Sequence, residues 1–150
     1  MIVTIVAVDK LREPYVCAGC ELYTQRLSRY YSMGIVEVRP ARGTSAISEE
    51  GKAILDRVDR DAVLWALDRV GTSLSSTGLA AKLTKAERSG TGGLTLAIGG
   101  ALGLHASVLR RAQFVWSLSD LTLLHEMARL VVLEQLYRAA KINHREPYHR

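Results

Sequence analysis

The sequence predicts an α/β fold with a mostly parallel sheet and helices on both faces, in a single domain spanning residues 1–150. Three observations predict it. Short apolar runs are continuous rather than alternating, which suits strands covered on both faces. Segments with a helical period lie between them. The two kinds of segment alternate along the chain.

Ile2 to Val8 is the first strand, apolar throughout except for Thr4. Val16 to Tyr30 follows with helical spacing, then a strand at Ile35 to Val38 and a helix at Ser48 to Val58. Ala62 to Leu67 and Leu94 to Ile98 are the next strands, with a helix at Leu79 to Arg88 between them. Ala106 to Ala112 reads as a short helix and Gln113 to Trp116 as a weaker strand. The last helix carries a wide apolar face, made by Met127, Leu130, Val131, Leu133, Leu136, Tyr137 and Ala140. Such a face can meet the chain's own sheet or a second subunit, and the pattern leaves both partners open.

Composition narrows the class. At 48 % apolar and 23 % charged residues, the chain sits with soluble globular domains and away from disordered or collagenous ones. A formal charge of +5 favours a polyanionic partner. Arg138, Lys141, Arg145 and Arg150 crowd the C-terminus, opposed there only by Glu146. The N-terminus has no basic lead and too short an apolar run for a signal peptide, and nothing reaches a membrane span. The expectation is a cytoplasmic protein with no membrane contact and reduced cysteines.

Four segments carry candidate chemistry. Ile98-Gly99-Gly100-Ala101-Leu102-Gly103 follows a strand and precedes a helix, where missing side chains let a ligand approach the main chain. It matches neither the dinucleotide nor the P-loop spacing, and taken alone a plain tight turn is the favoured reading. Trp116 to His125 interleaves Ser117, Ser119, Asp120 and Thr122 with leucines. It reads either as a self-satisfied loop or as an apolar slot whose main chain holds a ligand.

Cys17-Ala18-Gly19-Cys20 has the spacing of a redox pair or half a zinc site. No second pair completes four zinc ligands, so no metal is expected, and ordinary buried thiols are the favoured reading. His105 and His125 stand near helix starts, where an imidazole caps or packs. The tail Asn143 to Arg150 joins aromatic, guanidinium and imidazole groups suited to phosphates and unstacked bases. A frayed terminus is the competing reading.

Taken together, these segments resemble the RlmH family of SPOUT methyltransferases. The likeness rests on Ile5 to Val8, Ala66-Leu67-Asp68 with Gly71, Ser75 to Ala80, Ile98-Gly99-Gly100 with Gly103-Leu104, and Ser117 to Leu123 with His125 and Arg129. It continues through Glu134 to Ala139 and ends at Pro147 to Arg150. The resemblance implies a C-terminal trefoil knot, a homodimer, and S-adenosylmethionine as cofactor. Its substrate would be large-subunit ribosomal RNA, methylated at N3 of a pseudouridine. A basic chain of this size offers little area for reading sequence, so the expected substrate is a structured ribosomal surface, the assembled subunit or ribosome, rather than a short free oligonucleotide.

By motif match, the resemblance assigns the cofactor to Leu67, Gly99, Leu118, Ser119, Asp120, Leu121, Thr122 and Leu123. It assigns catalysis to His149, Tyr148 and Arg138, and RNA contacts to Arg129, Arg145 and Arg150. Two positions depart from relatives. Leu124 stands where a proline is common, which is expected to loosen entry into the last helix, and Ala101-Leu102 replaces a more polar pair. Alternatives are a knotted methyltransferase acting on transfer RNA, a thiol oxidoreductase built on the CxxC, and a non-catalytic RNA-binding module.

Overall fold

A computed structural model describes residues 1–150, in which strands and helices alternate. The elements are β1 (Ile2–Val8), α1 (Pro14–Leu27), β2 (Ser32–Val38), α2 (Ala46–Leu55) and β3 (Val63–Ser73). They continue as α3 (Ser76–Arg88), β4 (Leu94–Ile98), α4 (Ala106–Arg111), β5 (Phe114–Ser117) and α5 (His125–Asn143). The strands form one sheet in the order β2-β1-β4-β3-β5, and every pairing is parallel.

Parallel strands need crossovers, and the helices supply them on both faces. Side chains of β1 alternate between two cores: Val3, Ile5 and Ala7 enter the larger, Val6 and Val8 the smaller. The larger core also holds Leu79 and Leu83 of α3 and Val132, Leu133 and Leu136 of α5, while the smaller takes Ile54 of α2 and Val108 of α4. Each strand of the centre is thereby apolar on both sides, which is why the sequence reads as unbroken apolar runs.

The observed boundaries differ from the sequence reading where turns and close approaches intervene. Helix α1 starts at Pro14, whose missing N–H costs nothing at a first helical position, and stops at Leu27 rather than Tyr30. Strand β2 begins at Ser32, because Gly34 lies against the Thr4 side chain and keeps pairing with β1 unbroken. Helix α2 lies two to three residues earlier than the spacing predicts. Helix α3 starts at Ser76 because the Ser75 hydroxyl accepts from Gly78 N at 3.0 Å.

The largest difference is β3, which runs to Ser73 instead of ending near Leu67. Its pairing with β5 shifts register between Leu67 and Thr72, so Asp68 to Gly71 leave the ladder and return. Gly71 permits the return: a Cβ there would lie 2.5 Å from the Val115 carbonyl oxygen. That excursion positions one wall of the site.

The wide face of α5 is mostly spent inside the chain. Leu133, Leu136 and Ala140 are fully buried, whereas Met127, Leu130 and Val131 stay half-buried beside Glu134 and Arg138.

Candidate active site

A cavity of about 380 Å³ opens outside the carboxyl ends of β3, β4 and β5. Parallel α/β sheets hold ligands at this end. One wall is Leu67 with the excursion Asp68 to Val70, a second is the glycine turn after β4, and a third is the loop from Leu118 to Leu123. His125 and Ala128 of α5 complete it.

The glycine turn is both a tight turn and a cavity wall. Gly103 N donates to Gly100 O at 3.1 Å, and Gly103 takes φ +75. A Cβ on Gly99 would lie 2.5 Å from the Gly103 carbonyl carbon and oxygen, so only glycine fits. The main chain itself therefore faces the cavity.

The Ser/Leu loop is braced by two of its own hydroxyls. Ser117 Oγ donates to Ser119 O at 3.2 Å, and Leu121 N donates to Ser119 Oγ at 3.0 Å. Arg69 Nη1 donates to Thr122 Oγ1 at 3.1 Å, clasping the β3 excursion to the loop. Of the eight positions assigned to the cofactor, Leu67, Gly99, Leu118, Ser119, Leu121, Thr122 and Leu123 line the cavity. Asp120 does not; it is exposed.

The sequence reading missed Asp68, Arg69 and His125 as lining residues. The turn-forming Asp68 and Gly71 pair was the available signal. Leu124 precedes α5 with φ −58, the angle a proline would impose, so its departure from relatives leaves helix entry unchanged. Glu126 secures that entry by accepting from Arg12 N at 2.6 Å and Glu13 N at 3.2 Å. These donors hold its carboxyl below the usual range.

A second cluster gathers at the other end of α5. Glu134 Oε1 accepts from Arg138 Nη2 at 2.6 Å and from Tyr148 OH at 3.0 Å. The Tyr148 hydroxyl is 3.2 Å from that of Tyr23, its ring meets Tyr137 edge-on at 4.9 Å, and the Arg138 guanidinium sits 4.7 Å from its centre. Burial and these hydroxyl and carboxylate neighbours push the Tyr148 phenol upward, so it remains a protonated donor. Glu146 is held by Lys141 and Tyr30. The tail is thus docked as far as Tyr148 rather than frayed, and His149, Arg150 and Arg145 are exposed.

None of Arg138, Tyr148 and His149 lines the cavity of its own chain. His125 and Arg138 lie thirteen positions apart on α5, about 20 Å at 1.5 Å per residue.

One expectation requires correction. Arg129 does not offer itself to RNA: it is 1 % exposed, and its guanidinium donates to Glu37 Oε1 at 2.5 Å and to Asp9 O at 2.8 Å. It ties α5 to the ends of β1 and β2. Cys17 and Cys20 are free thiols, half-buried and buried, which agrees with the favoured reading of ordinary thiols, and burial pushes the Cys20 thiol up to about 11.

Fold and cavity together define an α/β protein with an open cavity at the carboxyl ends of a doubly covered parallel sheet, walled in part by bare main chain. A family model described as "Predicted SPOUT methyltransferase" matches residues 1–149. Proteins named ribosomal RNA large subunit methyltransferase H, from Acetivibrio thermocellus and Bifidobacterium adolescentis, are 40 % and 38 % identical over the full length of both chains. A Methanoregula boonei protein, provisionally given the same name, is 44 % identical over the same span. The chain belongs to the SPOUT methyltransferase family and, within it, to the RlmH group. A solved structure of a probable methylase family protein from Haemophilus influenzae has the same fold, with TM-score 0.61 at 12 % identity, covering 99 % of this chain and 70 % of that one.

Proposed function

We propose that the protein methylates N3 of a pseudouridine in large-subunit ribosomal RNA, using S-adenosylmethionine, as a cytoplasmic homodimer acting on the assembled ribosome. The relatives' names supply the RNA class. The observation that carries the cofactor is the cavity, where Gly99 main chain and the Leu118 to Leu123 loop converge. Its volume and half-apolar lining suit a small polar organic molecule.

The cofactor supplies an activated methyl group on a sulfonium, so the protein mainly has to align the acceptor. The imide N3 keeps its proton at neutral pH, and an imidazole is suited to accept it. We assign that task to His149, with Arg138 or Arg150 stabilising charge on a neighbouring carbonyl and Tyr148 stacking or hydrogen-bonding. Arg145 and Arg150, both exposed, are assigned to phosphates.

One chain does not bring these groups together, because its tail lies about 20 Å along α5 from its cavity. A second copy packed on the half-buried face of Met127, Leu130 and Val131 would deliver its tail to that cavity. This is the structural support for the homodimer, and the C-terminal knot expected of the family belongs to the same reading.

The test is methyl transfer to ribosomes from cells lacking the protein, followed by nucleoside analysis. N3-methylpseudouridine in the large-subunit RNA is the expected product. Modification of transfer RNA instead, or no transfer, would overturn the proposal. In the same assay His149→Ala should lower turnover by about 100-fold, with ribosome binding retained. Unchanged turnover would remove the base assignment.

A further inference from the structure

The cavity wall contains one carboxylate, and the family motif assigns it no task. Asp68 sits at the point where β3 leaves its register with β5. Its Oδ1 accepts from Val70 N at 2.9 Å, which fixes the side chain at the start of the excursion. It is half-buried, and no lysine, arginine or histidine of the chain pairs with it. The adjacent Arg69 is turned to Thr122 instead. Asp68 is the one anionic side chain on a wall that otherwise carries leucines, glycines, His125 and an Arg69 engaged with Thr122, so it is the group available to a cationic occupant.

S-adenosylmethionine is such an occupant. Its sulfonium and ammonium outnumber its single carboxylate, so the molecule carries one net positive charge. We infer that Asp68 is the counter-charge for the cationic amino-acid end of the cofactor. The assignment rests on the cofactor reading of the cavity and adds a residue to it. It also explains why the excursion is made of Asp68-Arg69-Val70-Gly71: Gly71 returns the strand, and Asp68 presents the charge.

The alternative is that Asp68 merely shapes the turn. Asp68→Asn separates the two, because an amide oxygen still accepts from Val70 N while the charge is gone. Calorimetry on the full chain would compare S-adenosylmethionine, S-adenosylhomocysteine and 5′-methylthioadenosine, which keeps the nucleoside and sulfur but lacks the amino-acid end and all positive charge. In Asp68→Asn, affinity for S-adenosylmethionine should fall by about tenfold, the size of one charge-assisted contact. Affinity for methylthioadenosine should change by less than about twofold. S-adenosylhomocysteine falling with S-adenosylmethionine places the carboxylate against the ammonium; its retention places it against the sulfonium. Unchanged affinity for S-adenosylmethionine, or a parallel loss for all three ligands, overturns the inference while the cofactor reading stands. A parent chain that gives no heat with S-adenosylmethionine overturns both.

Discussion

The two ends of α5 are built by different means. At its N-terminus the cavity is walled in good part by main chain, with Gly99 pressed on Gly103 and the Ser/Leu loop braced by the Ser117 and Ser119 hydroxyls. At its C-terminus the tail cluster is built by side chains, with Glu134 joining Arg138 and Tyr148. A main-chain wall has no room to yield, so substitutions there act as all-or-none. A side-chain cluster has several partners per group, so losses there should be graded.

The sharpest way to break that contrast is Gly99→Ala. The new methyl would meet the Gly103 carbonyl at 2.5 Å, and backbone cannot rotate out of the way as a side chain can. Displacing the wall by a fraction of an ångström to an ångström should lower turnover by about 100-fold, with far-ultraviolet dichroism unchanged. Full activity would show that the wall yields after all.

Arg129→Ala addresses the joint between the two ends. Removing a buried guanidinium leaves Asp9 O and Glu37 without their donor. The loss should be about 3 kcal/mol in urea unfolding, toward the lower end for a buried pair because Glu37 remains partly exposed. The salt dependence of ribosome binding should not change. A slope reduced by about one would return Arg129 to the RNA interface.

Glu134→Gln sharpens the contrast from the tail side. Arg138 and Tyr148 would keep an acceptor but lose its charge, and Tyr148 would retain Tyr137 and Tyr23 as neighbours. Turnover should fall by about tenfold while cofactor affinity stays within twofold. A parallel loss of cofactor affinity would mean that the two ends are not separable.

The same contrast explains what was legible in the sequence. The unbroken apolarity of Ile2 to Val8 and Leu94 to Ile98 marks buried strands directly, because both faces of each are covered. The family motif located Gly99 and Leu118 to Leu123, because main-chain walls demand glycine and a fixed loop. The reach of β3 to Ser73 was hidden, since Asp68 to Ser73 are half-exposed or exposed and carry no strand periodicity. Arg129 misled for a related reason. Its RNA role came only from the motif match, and only the fold shows it enclosed between α5 and the ends of β1 and β2. Glu134 as the hub of the tail was equally hidden, because its partners Arg138 and Tyr148 lie four and fourteen positions away.

The smallest expected effect lies at the first turn of α5, the element that both ends share. Glu126 receives two N–H donors from the segment before α1, and they lower its native pKa below the ordinary value of 4.5. A lowered native value means that the ionised form stabilises the fold above the unfolded-state pKa, and that this contribution is lost as pH falls through the native value. In Glu126→Gln an amide oxygen still accepts from Arg12 N, so only the charge is removed, including its favourable position at a helix N-terminus. The melting temperature of Glu126→Gln should therefore fall slightly below that of the parent at neutral pH. The gap should close as the solution is acidified from pH 4.5 downward. A gap that persists through acid would trace the effect to hydrogen-bond geometry, and entry into α5 would then be fixed by shape rather than charge.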